Sequence, residues 1–153
     1  MRQTLRTLTR ACTVLAAGAL AVSAWAQMTP VGTWRTTDEK TGDPKSLVAI
    51  TETGGTLSGK VDKFLRPDAD PSRRCTECSD DRKDQPMLGL DIIRGGRKAD
   101  GKDVWEGGKI LDPENGKEYR ASYTPIEGGA KLEVRGYLGP FWRTQTWVRA
   151  QQP

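Results

Sequence analysis

The sequence predicts an all-β domain, a single antiparallel up-and-down barrel of about eight strands with one long charged loop. Three observations carry that prediction. Apolar and polar residues alternate in many short runs, as in Leu132, Val134, Gly136 and Leu138 against Lys131, Glu133, Arg135 and Tyr137. A period of two is the mark of a strand with one buried face. Turn formers stand between the runs, at Gly54-Gly55, Gly95-Gly96, Asn115-Gly116, Gly128-Gly129 and Gly139-Pro140, and Asn-Gly is the strongest hairpin signal among them. No window sustains a helical apolar period, which removes the crossover helices a parallel sheet needs. Strands joined as successive hairpins leave two bare edges, and closure into a barrel removes both; a two-sheet sandwich is the alternative.

In chain order, the first strand, 31–37, holds Trp34, and Thr41-Gly42-Asp43-Pro44 turns the chain back. Strand 45–52 supplies Leu47, Val48 and Ile50, and strand 56–65 sets Leu57, Gly59 and Val61 against polar neighbours. After the long loop come 88–94 and 103–111, then the turn Asp112-Pro113-Glu114-Asn115-Gly116. Strand 117–124 places Tyr119, Ala121 and Tyr123 on one face against Glu118, Arg120 and Ser122, so the tyrosines point inward. Strand 130–138 and the last strand, 143–149, form the closing hairpin. In the latter, Arg143, Gln145, Trp147 and Arg149 share a phase, so an inward Trp147 brings Arg143 and Gln145 inside with it.

The amino terminus reads as a secretory signal peptide over residues 1–26. Arg2, Arg6 and Arg10 precede a small apolar stretch, and Ala24-Trp25-Ala26 is a small-x-small cleavage site. The apolar stretch is too short to span a bilayer, so no transmembrane anchor is expected after cleavage. Cys12 lacks the apolar residue that lipid attachment needs before it. Without the three arginines, 24 basic residues against 20 acidic become 21 against 20. A near-neutral chain with mixed charges offers no concentrated basic face for nucleic acid. The expected location is periplasmic or secreted, and residues 27–153 suffice in length for one domain.

Gly32-Thr33-Trp34 near the start and Arg149 near the end resemble the lipocalin and wider calycin pattern, in which a Gly-x-Trp meets a late arginine across the barrel floor. A guanidinium stacked on an indole while donating to carbonyls is sound chemistry; the plain alternative is a core tryptophan and a solvated terminal arginine. A broader resemblance spans nearly the whole chain after the leader. Val31-Gly32-Thr33-Trp34, Cys75-Thr76-Glu77-Cys78, Gly89-Leu90, Trp105-Glu106-Gly107-Gly108-Lys109-Ile110, Asp112-Pro113, Gly116-Lys117-Glu118-Tyr119, Leu132, Arg135-Gly136-Tyr137 and Thr144-Gln145-Thr146-Trp147 are similar to a bacterial secreted family, domain of unknown function 2147. The resemblance implies a lipocalin-like periplasmic barrel and carries no catalytic residue onto this chain. The loop 66–85 is more heavily charged than the resemblance leads one to expect.

That loop interleaves Arg66, Asp68, Asp70, Arg73, Arg74, Glu77, Asp80, Asp81, Arg82, Lys83 and Asp84, with Pro67, Pro71 and Pro86 as breaks. A connection this long without an apolar pattern is expected to be a lid or a mobile segment. Cys75 and Cys78 at its centre read first as a disulfide that stiffens it in an oxidising compartment. A redox-active pair is a second reading, favoured by Arg73 and Arg74 but lacking the βαβ setting of thioredoxin-type sites. A zinc site is a third, for which only carboxylates such as Asp80 or Asp84 remain as further ligands. No metal site is assigned. Asp68-Ala69-Asp70 lacks the glycine and distal glutamate of a calcium loop. Gly54 to Lys60 fits Gly-x4-Gly-Lys, but Val61 follows where a phosphate loop needs Ser or Thr, and the run is a strand.

The chain has no histidine, so the side chain best suited to proton transfer near neutrality is missing. Glu106 and Glu133 fall on the outward phase, leaving no inward carboxylate pair for glycosidase-type work. An enzyme is not expected, nor is a cofactor. Three functions remain. The first is binding of a small amphipathic or anionic molecule inside or at the mouth of the barrel. Arg143 and Gln145 would anchor it, and Trp105, Tyr119, Tyr123, Phe141, Trp142 and Trp147 would form its walls. The second is an envelope interaction protein with a solid barrel, for eight strands leave little interior space; its protein partner is not indicated. The third is a thiol-redox or metal role for Cys75 and Cys78.

Overall fold

The computed structural model describes residues 28–151. The predicted leader, 1–26 with Cys12, lies outside the described residues. Nine strands form one antiparallel sheet: β1 (Gly32–Thr37), β2 (Pro44–Thr53), β3 (Thr56–Phe64), β4 (Asp91–Arg94), β5 (Arg97–Lys98), β6 (Trp105–Asp112), β7 (Lys117–Ile126), β8 (Lys131–Leu138) and β9 (Phe141–Arg149). Eight of them close on themselves. β1 pairs with β9 at Trp34 and Arg149, and β4 pairs with β6 at Ile93 and Ile110, so neither edge of the meander stays bare. The expected all-β, lipocalin-like barrel is what the chain forms. All eight predicted strands are present; the fourth begins at Asp91 rather than 88, and the last begins at Phe141 rather than 143. The extra strand β5 is two exposed residues on the flank of β6, too short to carry a period.

Alternating strand direction sorts the connections between two ends. One end, the floor, gathers the β2–β3 turn, residues 95–104 and the turn Glu127–Gly129. The other, the mouth, gathers 38–43, the long loop 65–90, 113–116 and 139–140. The floor half is filled by Trp34, Ile50, Leu57, Tyr123 and Leu132, each at most 2% exposed.

Arg149 closes that floor. Its guanidinium lies over the Trp34 ring, 4.2 Å from Cζ to centroid. Nη1 donates to Val31 O (2.8 Å), Nη2 to Thr29 O (2.8 Å) and Nε to Gly129 O (2.6 Å), while Trp34 Nε1 donates to Pro30 O (2.7 Å). The cation binds the segment before β1, the β7–β8 turn and its own strand into one plate. Gly32 sits beneath it with φ of 136°, and a Cβ there would overlap Arg149 Nη1, so both backbone and space require glycine.

The charged loop is neither a lid nor a loose connection; it folds on itself at the side of the mouth. Cys75 N donates to Gln85 O (2.9 Å), Asp84 N to Cys75 O (3.0 Å) and Met87 N to Arg73 O (2.8 Å). A disulfide joins Cys75 and Cys78, and both are buried with Met87 and Leu90. Gly116 lets this knot dock on the β6–β7 turn, because a Cβ there would overlap Glu77 O. Arg82, 4% exposed, donates to Asp80, to Glu118 Oε2 (2.6 Å) and to Asp91 O (3.0 Å). Its hydrogen bonds to Asp80 foremost raise the Arg82 pKa, and the same contact lowers that of Asp80. Burial by itself would raise Glu118, but donation from Arg82 and Lys109 outweighs it and the net shift is downward.

Candidate functional site

The mouth half of the barrel is not filled. Inward positions that carry Trp34 and Tyr123 at the floor give way to Thr36, Ser46 and Gly136 nearer the mouth, and the smaller side chains leave space. The result is a cavity of about 420 Å3, within the range of small-molecule sites. Trp147 lies at its base, and Val48, Val61, Ile92, Leu111 and Val134 form apolar walls. Thr36 and Ser46 join their hydroxyls at 2.8 Å, so this polar pair is already satisfied within the wall. The rim carries Lys45, Asp112, Asn115, Tyr119 and the β8–β9 tip.

β9 supplies the polar groups. Trp147 Nε1 donates to Gln145 Oε1 (3.0 Å), and Gln145 Nε2 donates to Glu39 Oε1 (2.7 Å). Arg143 Nη1 donates to Glu39 Oε2 (2.9 Å). Each bond has ordinary length. The indole N–H can only donate, so it fixes the amide with its oxygen inward and its NH2 group toward the rim.

Of the expected wall and anchor residues, Tyr119, Phe141, Trp142, Arg143, Gln145 and Trp147 surround the cavity. Trp105 and Tyr123 do not; they belong to the core beneath it. Tyr123 points inward as expected, but it is fully buried and its hydroxyl donates to Lys109 O (3.3 Å). Burial pushes its phenol well above the usual value, so it stays protonated. Trp105 is 4% exposed, with its N–H toward Glu52 Oε2 (3.3 Å) and Lys98 over its ring. Trp105 opens β6 at the floor end, opposite Tyr123, so both inward rings fill the core; alternation assigns a face but not a depth along the barrel. Phe141 and Trp142 lie at the outer rim, 74% and 64% exposed, beside Leu138 at 63%.

Glu39 escaped the sequence reading. It lies in the turn after β1, where no periodicity assigns direction. That turn has its own framework: Asp38 accepts from Lys40 N (2.8 Å) and Thr41 N (3.1 Å), and Asp38 N donates to Asp43 O (2.8 Å). Those backbone bonds, with Arg66 beside it, hold the Asp38 carboxyl below its ordinary value. Among the described residues no group of three or more His, Cys, Asp or Glu converges as metal ligands.

A family described as an uncharacterized protein conserved in bacteria, domain of unknown function 2147, matches residues 32–149. The chain belongs to this family. The matched span begins on Gly32 and ends on Arg149, the two residues in contact at the floor, so the family's extent coincides with the closed barrel. Among solved structures, the chain is similar to "Protein HP1028 from the human pathogen Helicobacter pylori", which that structure's description assigns to the lipocalin family. The TM-score is 0.67 and the identity 18%, over 79% of this chain and 82% of the other. At that identity the likeness speaks for the fold. No curated protein sequence matches the chain. As a family member with a lipocalin-like barrel, the protein has a fold compatible with ligand binding, and its own side chains must indicate the chemistry.

Proposed function

We propose that the protein binds a small amphipathic molecule in the mouth half of its barrel, without transforming it, in the periplasm or outside the cell. The observation that carries this reading is the cavity above Trp147, apolar in its walls and equipped with Arg143 and Gln145 at one side of its rim. Apolar walls favour burial of a hydrocarbon or ring, and a few placed polar groups orient a head. The signal-like leader and a disulfide that persists in oxidising surroundings support the location.

The solid-barrel alternative loses its premise where the interior is hollow. The thiol-redox alternative asks an incoming thiolate to reach sulfurs that are 0% and 3% exposed at the residue level, and such access is what exchange depends on.

Native mass spectrometry of the protein purified from a bacterial periplasm tests the proposal. The expected spectrum contains a reproducible extra mass that leaves on collisional activation. A bare chain that also fails to take up added envelope lipids and metabolites overturns it.

A further inference from the structure

We propose that Arg143 and Gln145 form a carboxylate seat, that Glu39 fills it in the free protein, and that a ligand's own carboxylate takes it by displacing Glu39. The inference rests on the cavity-binding reading and adds the head group of the ligand and the residue that competes with it.

The geometry is that of an occupied anion site. Both Glu39 oxygens are engaged, Oε1 by the Gln145 amide at 2.7 Å and Oε2 by Arg143 at 2.9 Å. Two donors on one strand, two residues apart and in the same phase, thus present N–H groups to the two oxygens of one carboxylate. Trp147 at the cavity base holds the amide in the orientation that donates toward the rim. A tail lying on Trp147 and a carboxylate on Arg143 are four residues apart along β9, about 13 Å at ~3.3 Å per residue.

Glu39 is suited to leave. Its side chain is 38% exposed and that of Arg143 is 77% exposed, so water screens the pair and their attraction is weak. Its turn keeps its shape through the Asp38 hydrogen bonds, so the carboxylate departs by side-chain rotation without unfolding the rim. A neutral or cationic head gains nothing from this exchange: it cannot replace the charge that Arg143 loses. The seat therefore selects an amphipathic carboxylate, and Glu39 sets the threshold that such a ligand must exceed.

Octanoate, octanol and octylamine, titrated into the full-length mature protein and followed by tryptophan fluorescence, test the inference. Glu39→Ala is expected to tighten octanoate about tenfold while leaving octanol within about twofold. Glu39→Gln, which keeps the shape and loses the charge, is expected to fall between wild type and Glu39→Ala. Arg143→Gln in the Glu39→Ala background is expected to erase the gain for octanoate. Circular dichroism confirms that each variant keeps the barrel. If octanol binds and Glu39→Ala shifts octanoate and octanol in parallel, the seat is overturned while the cavity reading stands. If none of the three probes binds any variant, the cavity reading fails and the seat fails with it.

Discussion

The floor and the mouth of this barrel each carry an arginine from β9, and the two arginines live in different physics. Arg149 is stacked on a fully buried indole and donates to the backbone carbonyls of Thr29, Val31 and Gly129, and burial presses its pKa below the ordinary value. Arg143 faces water and pairs with the partly exposed carboxylate of Glu39. A cation held by neutral carbonyls in a desolvated plate stabilises the fold, because its loss leaves those acceptors unmet. A cation paired with an exposed carboxylate contributes little to stability, and it is correspondingly free to exchange partners. Six residues of one strand separate a structural role from the proposed ligand-binding one.

The strongest way to break this comparison is Arg149→Ala, expected to lower unfolding stability by about 3 to 4 kcal/mol in urea denaturation through the unmet carbonyls and the lost ring contact. Arg149→Lys keeps the charge without the fork and should recover only a minor part. An Arg149→Ala midpoint equal to that of the wild type would end the distinction.

The flank of the mouth lies between the two extremes. Arg82→Met leaves Asp80 and Glu118 without their buried partner and should cost about 2 to 3 kcal/mol. It also changes the acid response. Asp80 and Glu118 have folded pKa values below their unfolded ones, so their contribution is fully present above the unfolded values of about 4 and is lost as pH falls through the lower folded values. Stability measured from pH 6 down to pH 2 should therefore fall less steeply in Arg82→Met than in the wild type; parallel curves would show that the triad contributes nothing.

Replacing Cys75 and Cys78 together by serine releases a very short covalent loop and should cost about 2 kcal/mol by the loop-entropy estimate. The knot's other hydrogen bonds and the barrel spectrum should survive, and a collapse of the far-ultraviolet spectrum would contradict a purely local staple. Gly136→Leu projects a side chain from an inward position of the cavity wall, where the nearest atom to a Cβ is Tyr119 Cβ at 3.6 Å. Stability should move by less than about 1 kcal/mol while uptake of octanol disappears; retained uptake would place the ligand elsewhere. Arg143→Ala should shift stability least, within about 0.5 kcal/mol.

Legibility in the sequence follows the same division. Inward phases on regular strands read correctly, which is why Tyr119, Gln145 and Trp147 fell on the interior side and Trp34 met Arg149. Trp105 is inward as well, but it stands at the floor end of β6 opposite Tyr123, and alternation assigns a face without a depth. The interior of the 65–90 loop had no period to read, so Arg82 looked like one more solvated charge, although it is the best buried cation of that segment. Glu39 was invisible for a similar reason: direction in a turn is set by backbone hydrogen bonds such as those to Asp38, not by patterning. Hollowness itself depends on how small residues at Thr36, Ser46 and Gly136 stack across three different strands, and a single strand's sequence does not reveal that sum.

Because the segment around Thr29 is gripped by Arg149 and Ala150 N donates to Thr33 O, both ends of the described chain emerge at the same pole. Whatever is joined to either end, whether a tether, a fused protein or a surface linkage, hangs from the closed side. Barrels grafted onto a solid support by either end would all face outward with the same orientation, like cups fixed by their bases.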